Sequence, residues 1–296
     1  MDQLALKKFV EENPSLVSMK PAGDGIYVLK YKKRVFFEDL WNEYLEECRG
    51  TIVDADFNVV QRPFTKIYNY GVEKNAPVLA PDILVDAYRK VNGFMVAVTW
   101  YKDQLLISTT GSTDSDFVSM ARELIDVERY SQVCKEWHGT TFMFECVHRN
   151  DPHIVPEKEG MYLLGYREKA WDSSTTPDPK ILRMFEISFN TIPVEHYRMR
   201  VDSLIQEVKH VRHEGYVAYT DDGVSFKIKS PYYLTNKWVA RNPRTDKLVD
   251  MNKDIKHNID EEYYGLIDAI RANIVEYTAM DEQARLAWCR NFLEVA

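Results

Sequence analysis

A lysine and a glycine turn stand directly before a long apolar segment in KVNGFMVAVTWY, residues 90–101. The aromatic and β-branched residues at 94–101 predict a strand, because such side chains fit a pleated, half-buried surface. An apolar run at 83–87 leads into the same turn. A lysine beside a glycine turn is by itself most often a surface residue, so this pattern alone gives Lys90 no role.

Short strands are predicted on both sides of this turn. The predicted strands are 51–54, 58–62, 94–101, 104–109, 141–147, 161–167, 215–219 and 224–229. Apolar residues at helical spacing predict helices in the first dozen residues and at 38–47, 114–127 and 201–208. This mixture predicts an α+β fold of mostly antiparallel sheets with flanking helices.

The sequence changes in character after Pro231. Only Gly265 remains of the glycines beyond this point, and apolar residues follow helical spacing at 259–277 and 282–292. Lys and Arg are concentrated before residue 258, whereas acidic residues dominate from residue 260 onward. We therefore predict a domain at 1–230 and a small helical C-terminal appendage at 231–296.

Composition limits the class of protein. The 296 residues carry 46 Asp and Glu against 38 Lys and Arg, and the net charge of -8 excludes a general basic coat for nucleic acid. No apolar run approaches the roughly 18–20 residues that span a bilayer, and the charged N-terminal segment lacks a signal-peptide core. The four cysteines are scattered without a C-x-x-C pair, which favours thiols in a reducing compartment. We expect a soluble cytoplasmic protein without a membrane partner.

Several charged side chains occupy notable strand positions. Glu145 interrupts an apolar strand, and Glu214 comes directly before another. A carboxylate in such a place lies at a sheet edge or accepts hydrogen bonds from a ligand hydroxyl. Lys227 and Lys229 point to the same face of their strand, where two lysines are either solvated or bind polyphosphate oxygens. The amine of Lys90 is a nucleophile only when it is unprotonated.

The order of four motifs distinguishes among these alternatives. KVNG at 90–93, FECV at 144–147, EGYV at 214–217 and KIK at 227–229 resemble the ordered motifs of the covalent nucleotidyltransferases, which are RNA ligases, DNA ligases and mRNA capping enzymes. The match is closer to the phage-type RNA ligase 1 branch. Two upstream elements and one strand resemble that branch in particular: ECRGTI at 47–52, RPFTKIYN at 62–69 and GMYLLGYR at 160–167. The resemblance covers residues 47 to 233.

The resemblance implies an adenylation domain of the nucleotidyltransferase type and an ATP-dependent RNA ligase. Lys90 would attack the α-phosphorus of ATP and become lysyl-AMP, and AMP would then activate an RNA 5′-phosphate for attack by a 3′-hydroxyl. The resemblance further implies phosphate contacts: Lys227 and Lys229 would contact the α-phosphate, and Arg49 and Lys66 the outgoing phosphates. It implies nucleotide binding by Asn92 and Gly93, adenine stacking by Phe64 and ribose binding by Glu145. It also implies a divalent cation, Mg²⁺ or Mn²⁺, at Glu214.

The partners follow from the same resemblance. The substrate is RNA with 5′-phosphate and 3′-hydroxyl ends, a nicked tRNA being one example, and an end-healing kinase or phosphatase would prepare such ends. The bacterial or phage-infected cytoplasm is the expected compartment. A basic series in the appendage is a candidate track for RNA phosphates, and the alternative is a helical cap with Trp238 in its core. The series comprises Lys237, Arg241, Arg244, Lys247, Lys253 and Lys256.

The sequence departs from the family pattern at two places. Asn92 stands where most of the superfamily carries aspartate, although fungal-type tRNA ligases are similar in this respect. The segment at 108–112, STTGS, stands where the phage ligase carries lysines. In addition, the 67 residues after Lys229 read as helices, which disfavours the oligonucleotide-binding barrel that DNA ligases and capping enzymes place there.

The sequence is also compatible with other functions. The chain could be another covalent nucleotidyltransferase, such as an mRNA guanylyltransferase or a DNA ligase, or a non-catalytic RNA-binding module with the same fold. A histidine–metal site at His210 and His213 beside Glu214 is a weaker alternative, because the spacing lacks the H-E-x-x-H pattern.

Overall fold

The computed structural model describes residues 2–151, 153–171, 177–241 and 261–295. The chain forms two compact units, each built from several stretches of sequence. The first unit comprises 1–67, 91–153 and 157–195, and the second comprises 68–90, 154–156 and 196–296. The division predicted at residue 230 falls inside the second unit, and it stays a prediction.

The strands and helices are as follows. The strands are β1 (Val17–Pro21), β2 (Ile26–Tyr31), β3 (Arg49–Asp54), β4 (Val59–Gln61), β5 (Tyr68–Asn69), β6 (Leu84–Arg89), β7 (Phe94–Tyr101), β8 (Gln104–Ser108), β9 (Thr140–Val147), β10 (Gly160–Glu168), β11 (His196–Arg200), β12 (Gly215–Thr220) and β13 (Ser225–Lys229). The helices are α1 (Gln3–Glu12), α2 (Lys33–Phe37), α3 (Glu43–Glu47), α4 (Asp116–Leu124), α5 (Val127–Glu136), α6 (Pro179–Phe189), α7 (Val201–Val208), α8 (Pro231–Arg241), α9 (Tyr264–Ala272), α10 (Ile274–Ala279) and α11 (Glu282–Val295).

The first unit contains two four-stranded antiparallel sheets, in the orders β1-β2-β3-β4 and β10-β9-β7-β8. Every residue of the central strand β9 is buried, which explains its nearly continuous apolar sequence. Phe142 and Phe144 of β9 pack edge-on against Phe189 of α6. Because side chains alternate along a strand, residues 141, 143 and 145 point to the opposite face, away from this aromatic cluster.

The second unit is built on a five-stranded sheet in the order β11-β6-β12-β13-β5. All neighbouring strands are antiparallel except β13 and β5, which are parallel. Helix α7 covers one face, where Leu204 packs with Ala218 and Phe226 in a buried cluster. A second apolar cluster joins α8 to the helices after residue 260, with Leu234, Leu266 and Ile270 among its members.

Most of the predicted elements are confirmed. All the predicted strands are present with bounds within two residues of those expected, and the sheets are mostly antiparallel. Helix α7 has its predicted bounds, α1 and α11 lie close to theirs, and the helical character after residue 260 is confirmed by α9, α10 and α11.

Two predicted helices are wrong in extent. The helix predicted at 38–47 is only α3, because the side chain of Asn42 accepts hydrogen bonds from the backbone N–H groups of Tyr44 and Leu45 and so starts the helix there. Asp39 has a φ of 50°, outside the helical region. The helix predicted at 114–127 ends at Leu124, and α5 begins separately after the Asp126 N-cap.

Candidate active site

Lys90, the predicted nucleophile, follows directly after β6 in the second unit. Its backbone N–H donates to the carbonyl oxygen of Gly215 at 2.8 Å, which extends the pairing of β6 with β12. Its Nζ lies 3.0 Å from Oε1 of Glu214, and the two side chains are 23% and 5% exposed. The structure thus brings together two residues that are 124 positions apart, and it leaves the lysine amine partly accessible.

The register of three strands places Lys90 and Lys229 on either side of Gly215. Gly215 pairs with Lys229 of β13 on one side and accepts the hydrogen bond from Lys90 on the other. Gly215 has a φ of +135°, and a Cβ there would overlap the carbonyl oxygen of Ile228. Glycine is therefore required at the position that lies between the two lysines.

Lys229 is held by a residue that the sequence analysis did not identify. Its Nζ forms an ion pair with Oε1 of Glu262, which lies in a single 3₁₀ turn, Glu261–Tyr263, before α9. Both side chains are nearly buried. Burial alone would lower the pKa of Lys229, but the carboxylates of Glu262 and Glu214 raise it above its usual value.

The charge on Glu262 is stabilised in return. Burial would raise the pKa of its carboxyl, but Lys229, Lys237 and Lys227 lower it to about 2. Glu262 is therefore ionised at neutral pH despite being buried. No sequence signal marked it, because an isolated pair of glutamates before an amphipathic helix is common on solvated surfaces.

Asn69, in the RPFTKIYN element, lies beside Lys227. The two residues are partners in the parallel pairing of β5 with β13. Nδ2 of Asn69 donates to Oε1 of Glu261 at 3.0 Å and to Oε2 of Glu73 at 2.8 Å. The motif thus reaches the lysine strand through β5, a two-residue strand too short for the alternation pattern to reveal.

Other residues with predicted nucleotide-binding roles lie in the first unit. Gly93 donates its N–H to Oε1 of Glu145 at 3.1 Å, and the N–H of Asn92 lies 3.4 Å from Oε1 of Glu157. A Cβ at Gly93 would overlap the carbonyl oxygen of Cys146 and lie 3.0 Å from Cγ of Glu145. Gly93 therefore allows the turn to approach the end of β9.

Phe64 lies on the face of β9 that carries Glu145. The N–H of Arg62 donates to Oγ1 of Thr141 at 2.8 Å, so the segment 62–64 runs along this face. Phe64 is nearly buried, and a Cβ at Gly165 would lie 2.7 Å from its Cζ. The bare backbone of β10 at Gly165 thus makes room for the aromatic ring.

Arg49 and Lys66 also lie in the first unit. Nη1 of Arg49 donates to the carbonyl oxygen of Thr65 at 3.0 Å. Nζ of Lys66 lies 4.7 Å from the centre of the Trp41 ring, a cation–π distance. The structure therefore brings the arginine–glycine element and the RPFTKIYN element into contact.

A buried ion cluster of the first unit joins Glu47 to two arginines. Oε1 of Glu47 lies 2.6 Å from Arg62 Nη2 and 2.7 Å from Arg167 Nη2. Arg167 also donates to the carbonyl oxygen of Pro63 at 3.0 Å. Burial would raise the pKa of Glu47, but hydrogen bonds from the two arginines lower it. The cluster holds the backbone on the N-terminal side of Phe64.

The remaining sequence predictions concern the histidines, a metal site and the basic series after residue 230. Nδ1 of His213 accepts a hydrogen bond from the N–H of Gly215 at 3.2 Å, and the residues that the structure describes contain no cluster of acidic, cysteine and histidine side chains suited to a metal ion. Lys237 is nearly buried, with Nζ 5.7 Å from the Tyr233 ring. The side chains of Trp238 and Arg241, and Arg244, Lys247, Lys253 and Lys256, lie outside the described residues.

All four cysteines are buried. Burial raises the pKa of the Cys48, Cys134 and Cys146 thiols to about 12, so these three are protonated at neutral pH. Within the described part of the chain, every helix is too short or too polar to cross a bilayer.

The fold is that of the nucleotidyltransferase-type ligases. Two structures of an archaeal ATP-dependent RNA ligase, form 2 and form 1, match with TM-scores of 0.59 and 0.60 at 16% and 15% identity. The matches cover 98% and 97% of this chain and 77% of that chain. A protein from Aquifex aeolicus, provisionally assigned as an ATP-dependent DNA ligase, matches with a TM-score of 0.58 at 15% identity, over 98% of this chain and 77% of its own. These matches confirm the predicted fold class.

The family follows from the sequence over the same region. The model of an RNA ligase family matches residues 47–233, the range over which the motifs resemble the phage-type branch. The chain therefore belongs to this RNA ligase family, and it is an enzyme that forms phosphodiester bonds between RNA ends.

Proposed function

We propose that this RNA ligase uses ATP and works through a lysyl-AMP intermediate on Lys90. The observation that carries the proposal is the register Lys90–Gly215–Lys229 across three neighbouring strands of one sheet. This register sets the partly exposed Lys90 and the charged Lys229 at matching positions on either side of one strand, which suits an amine that attacks an α-phosphate. The archaeal RNA ligase that shares the fold is itself ATP-dependent.

In the first step, the unprotonated Nζ of Lys90 attacks the α-phosphorus of ATP. A P–N bond forms, the bond from the α-phosphorus to the bridging oxygen breaks, and pyrophosphate leaves. Lys227 and Lys229 neutralise the charge that builds up on the α-phosphate oxygens, and Arg49 and Lys66 hold the outgoing phosphates. Catalysis of this kind consists mainly of positioning and charge stabilisation.

The nucleoside contacts belong to the first unit. Glu145 accepts hydrogen bonds from the ribose, and Phe64 supplies the apolar surface for adenine. Asn92 and Gly93 line the nucleotide next to Lys90. Two observations support these roles: the N–H of Gly93 donates to Glu145, and the absence of a side chain at Gly165 leaves room for the Phe64 ring.

Glu214 fits a divalent cation, Mg²⁺ or Mn²⁺. It is a nearly buried carboxylate with one oxygen on the nucleophile, and Mg²⁺ is usually bound by one or two carboxylates together with substrate phosphates. The ion, when bound, offsets phosphate charge. Glu214 would hold it and, at the same time, orient the amine of Lys90.

The later steps transfer AMP to RNA and seal the strand. The RNA 5′-phosphate attacks the α-phosphorus, which releases Lys90 and forms an RNA-adenylate, and the 3′-hydroxyl of the second end then attacks the activated 5′-phosphate with release of AMP. Nicked tRNA is a substrate of this kind, and an end-healing kinase or phosphatase would supply the 5′-phosphate and 3′-hydroxyl. We place the reaction in the bacterial or phage-infected cytoplasm.

The experiment is nucleotide labelling. The protein is incubated with α-labelled ATP or α-labelled GTP and Mg²⁺ or Mn²⁺, after treatment with pyrophosphate to remove any AMP already bound, and analysed on a denaturing gel. Label from ATP that is lost in Lys90→Ala is expected, and Lys209→Ala, an exposed lysine of the same unit, serves as the matched control. Label from GTP alone, or label that persists in Lys90→Ala, would contradict the proposal.

A further inference from the structure

We infer that Glu262 is a positioning residue for nucleotidyl transfer: it holds Lys229 for contact with the α-phosphate and so makes the C-terminal helical segment part of the adenylation machinery. The inference rests on the role proposed above for Lys229. It goes beyond that role because it assigns a function in the first chemical step to a residue outside the matched region 47–233.

The contact is specific and buried. Oε1 of Glu262 is paired with Nζ of Lys229, and the side chains are 5% and 10% exposed. Oε2 of Glu262 has no hydrogen-bond partner among the residues that the structure describes. A buried carboxylate is costly unless it is paired, so the Lys229 contact accounts for much of what keeps Glu262 ionised in this position.

The position of the Glu262 carboxylate is fixed by its surroundings. The next residue, Tyr263, is buried and donates its hydroxyl to the carbonyl oxygen of Leu234 in α8 at 2.7 Å. Leu266 and Ile267, one turn further along, are fully buried in the cluster that α8 shares. A carboxylate anchored on packed helices restricts a flexible lysine side chain far more than solvent does.

Charges alternate from Glu262 to the nucleophile. Glu262 pairs with Lys229, the carboxylate of Glu214 acts on Lys229 as well, and Glu214 pairs with Lys90 at 3.0 Å. A lysine ammonium has three N–H donors. Glu262 occupies one of them and leaves others to meet phosphate oxygens, so Lys229 can remain fixed when the nucleotide binds.

A consequence for domain function follows. The sequence predicts a domain boundary at residue 230, and a chain cut there would then be expected to keep nucleotide transfer if it folds. The Glu262 contact and the shared cluster of α8 and α9 predict the opposite, because a chain cut after residue 230 lacks both the partner of Lys229 and the helices that form this cluster.

The test uses the full chain and measures single-turnover formation of the protein–AMP adduct at increasing ATP concentration. Glu262→Gln keeps the shape and removes the charge, and Glu262→Asp keeps the charge and withdraws it by one methylene. We expect the limiting rate to fall in the order wild type, Asp, Gln, by about 10- to 100-fold for Gln, with the half-saturating ATP concentration much less changed. Glu276→Gln, an exposed carboxylate of α10, is the matched control and keeps the wild-type rate.

A folded Glu262→Gln protein, judged by its circular dichroism, with a wild-type limiting rate would overturn the inference. If Gln does not fold, the Asp variant decides in the same way: a reduced limiting rate supports the inference, and a wild-type rate overturns it. The Lys229→Ala variant distinguishes failure of the role proposed for Lys229 from failure of the role inferred for Glu262. If Lys229→Ala is labelled like the wild type, the proposed role of Lys229 itself is wrong. If Lys229→Ala loses the label but Glu262→Gln reacts at the wild-type rate, only the role of Glu262 is wrong.

Discussion

The two units each contain a carboxylate between two cations, but the cations differ in kind. In the first unit, Glu47 binds two arginines that are almost completely buried. In the second unit, Glu214 pairs with Lys90, whose side chain is 23% exposed. An arginine is always protonated and forms fixed, bidentate contacts, whereas a lysine can lose its proton and react. The comparison supports the proposal that the first cluster stabilises the fold and that the second takes part in the reaction.

The sharpest test of this difference is to replace the reactive cation with the structural one. Lys90→Arg keeps a positive charge beside Glu214, but its guanidinium does not become a nucleophile near neutral pH. We expect complete loss of the protein–AMP adduct with an unchanged melting temperature. The adduct is measured on a denaturing gel with α-labelled ATP. Adduct formation by the Arg variant would show that Lys90 is not the attachment site and would contradict the difference proposed between the two clusters.

The second test addresses the buried cluster of the first unit. Glu47→Gln leaves Arg62 and Arg167 buried without a counter-charge, and breaking a buried ion pair in this way costs about 3–5 kcal/mol. We expect the free energy of unfolding, measured in urea, to fall by about 3–5 kcal/mol. Glu43→Gln, an exposed glutamate at the start of the same helix, is the control. A loss below about 1 kcal/mol would mean that the cluster does not hold the unit together.

A smaller effect is expected at the turn that follows the nucleophile. A Cβ at Gly93 would overlap the carbonyl oxygen of Cys146, so Gly93→Ala shifts the turn away from β9 and displaces Glu145. We expect adduct formation to slow by about 10- to 100-fold, because small misplacements at a reacting centre have effects of this size. At Gly139 a Cβ would meet nothing within 4 Å, so Gly139→Ala is the control. Equal rates for the two variants would contradict the steric explanation.

Much of this arrangement could be predicted from local sequence. The strands follow from alternation and β-branched residues, and the order of the motifs predicts that Lys90, Glu214 and the two lysines of β13 belong to one site. The structure brings Lys90, Glu214 and Lys229 together through the register of β6, β12 and β13. Periodicity was sufficient for the strands because they are regular, whereas the grouping of these residues across long sequence separations came from the order of the motifs.

The ion pairs of Glu262 and Glu47 could not be predicted, because their partners are distant in sequence and no motif grouped them. Glu262 reaches Lys229 across 33 residues, and Glu47 reaches Arg167 across 120; a pattern in a short window contains neither pairing. Helix α6 was missed for a different reason. Its N-cap, Asp178, and its first residue, Pro179, are a recognised helix start, but they follow a polar, proline-containing segment that is typical of a loop.

The most direct test of the central claim is to locate the nucleotide on the protein. The full chain is incubated with ATP and a divalent cation, digested with a protease, and analysed by tandem mass spectrometry. We expect a single AMP group on the Nζ of Lys90, in the peptide that contains KVNG, and an adduct that reverts on addition of pyrophosphate. AMP on another lysine, or no adduct from a folded protein first treated with pyrophosphate, would contradict it.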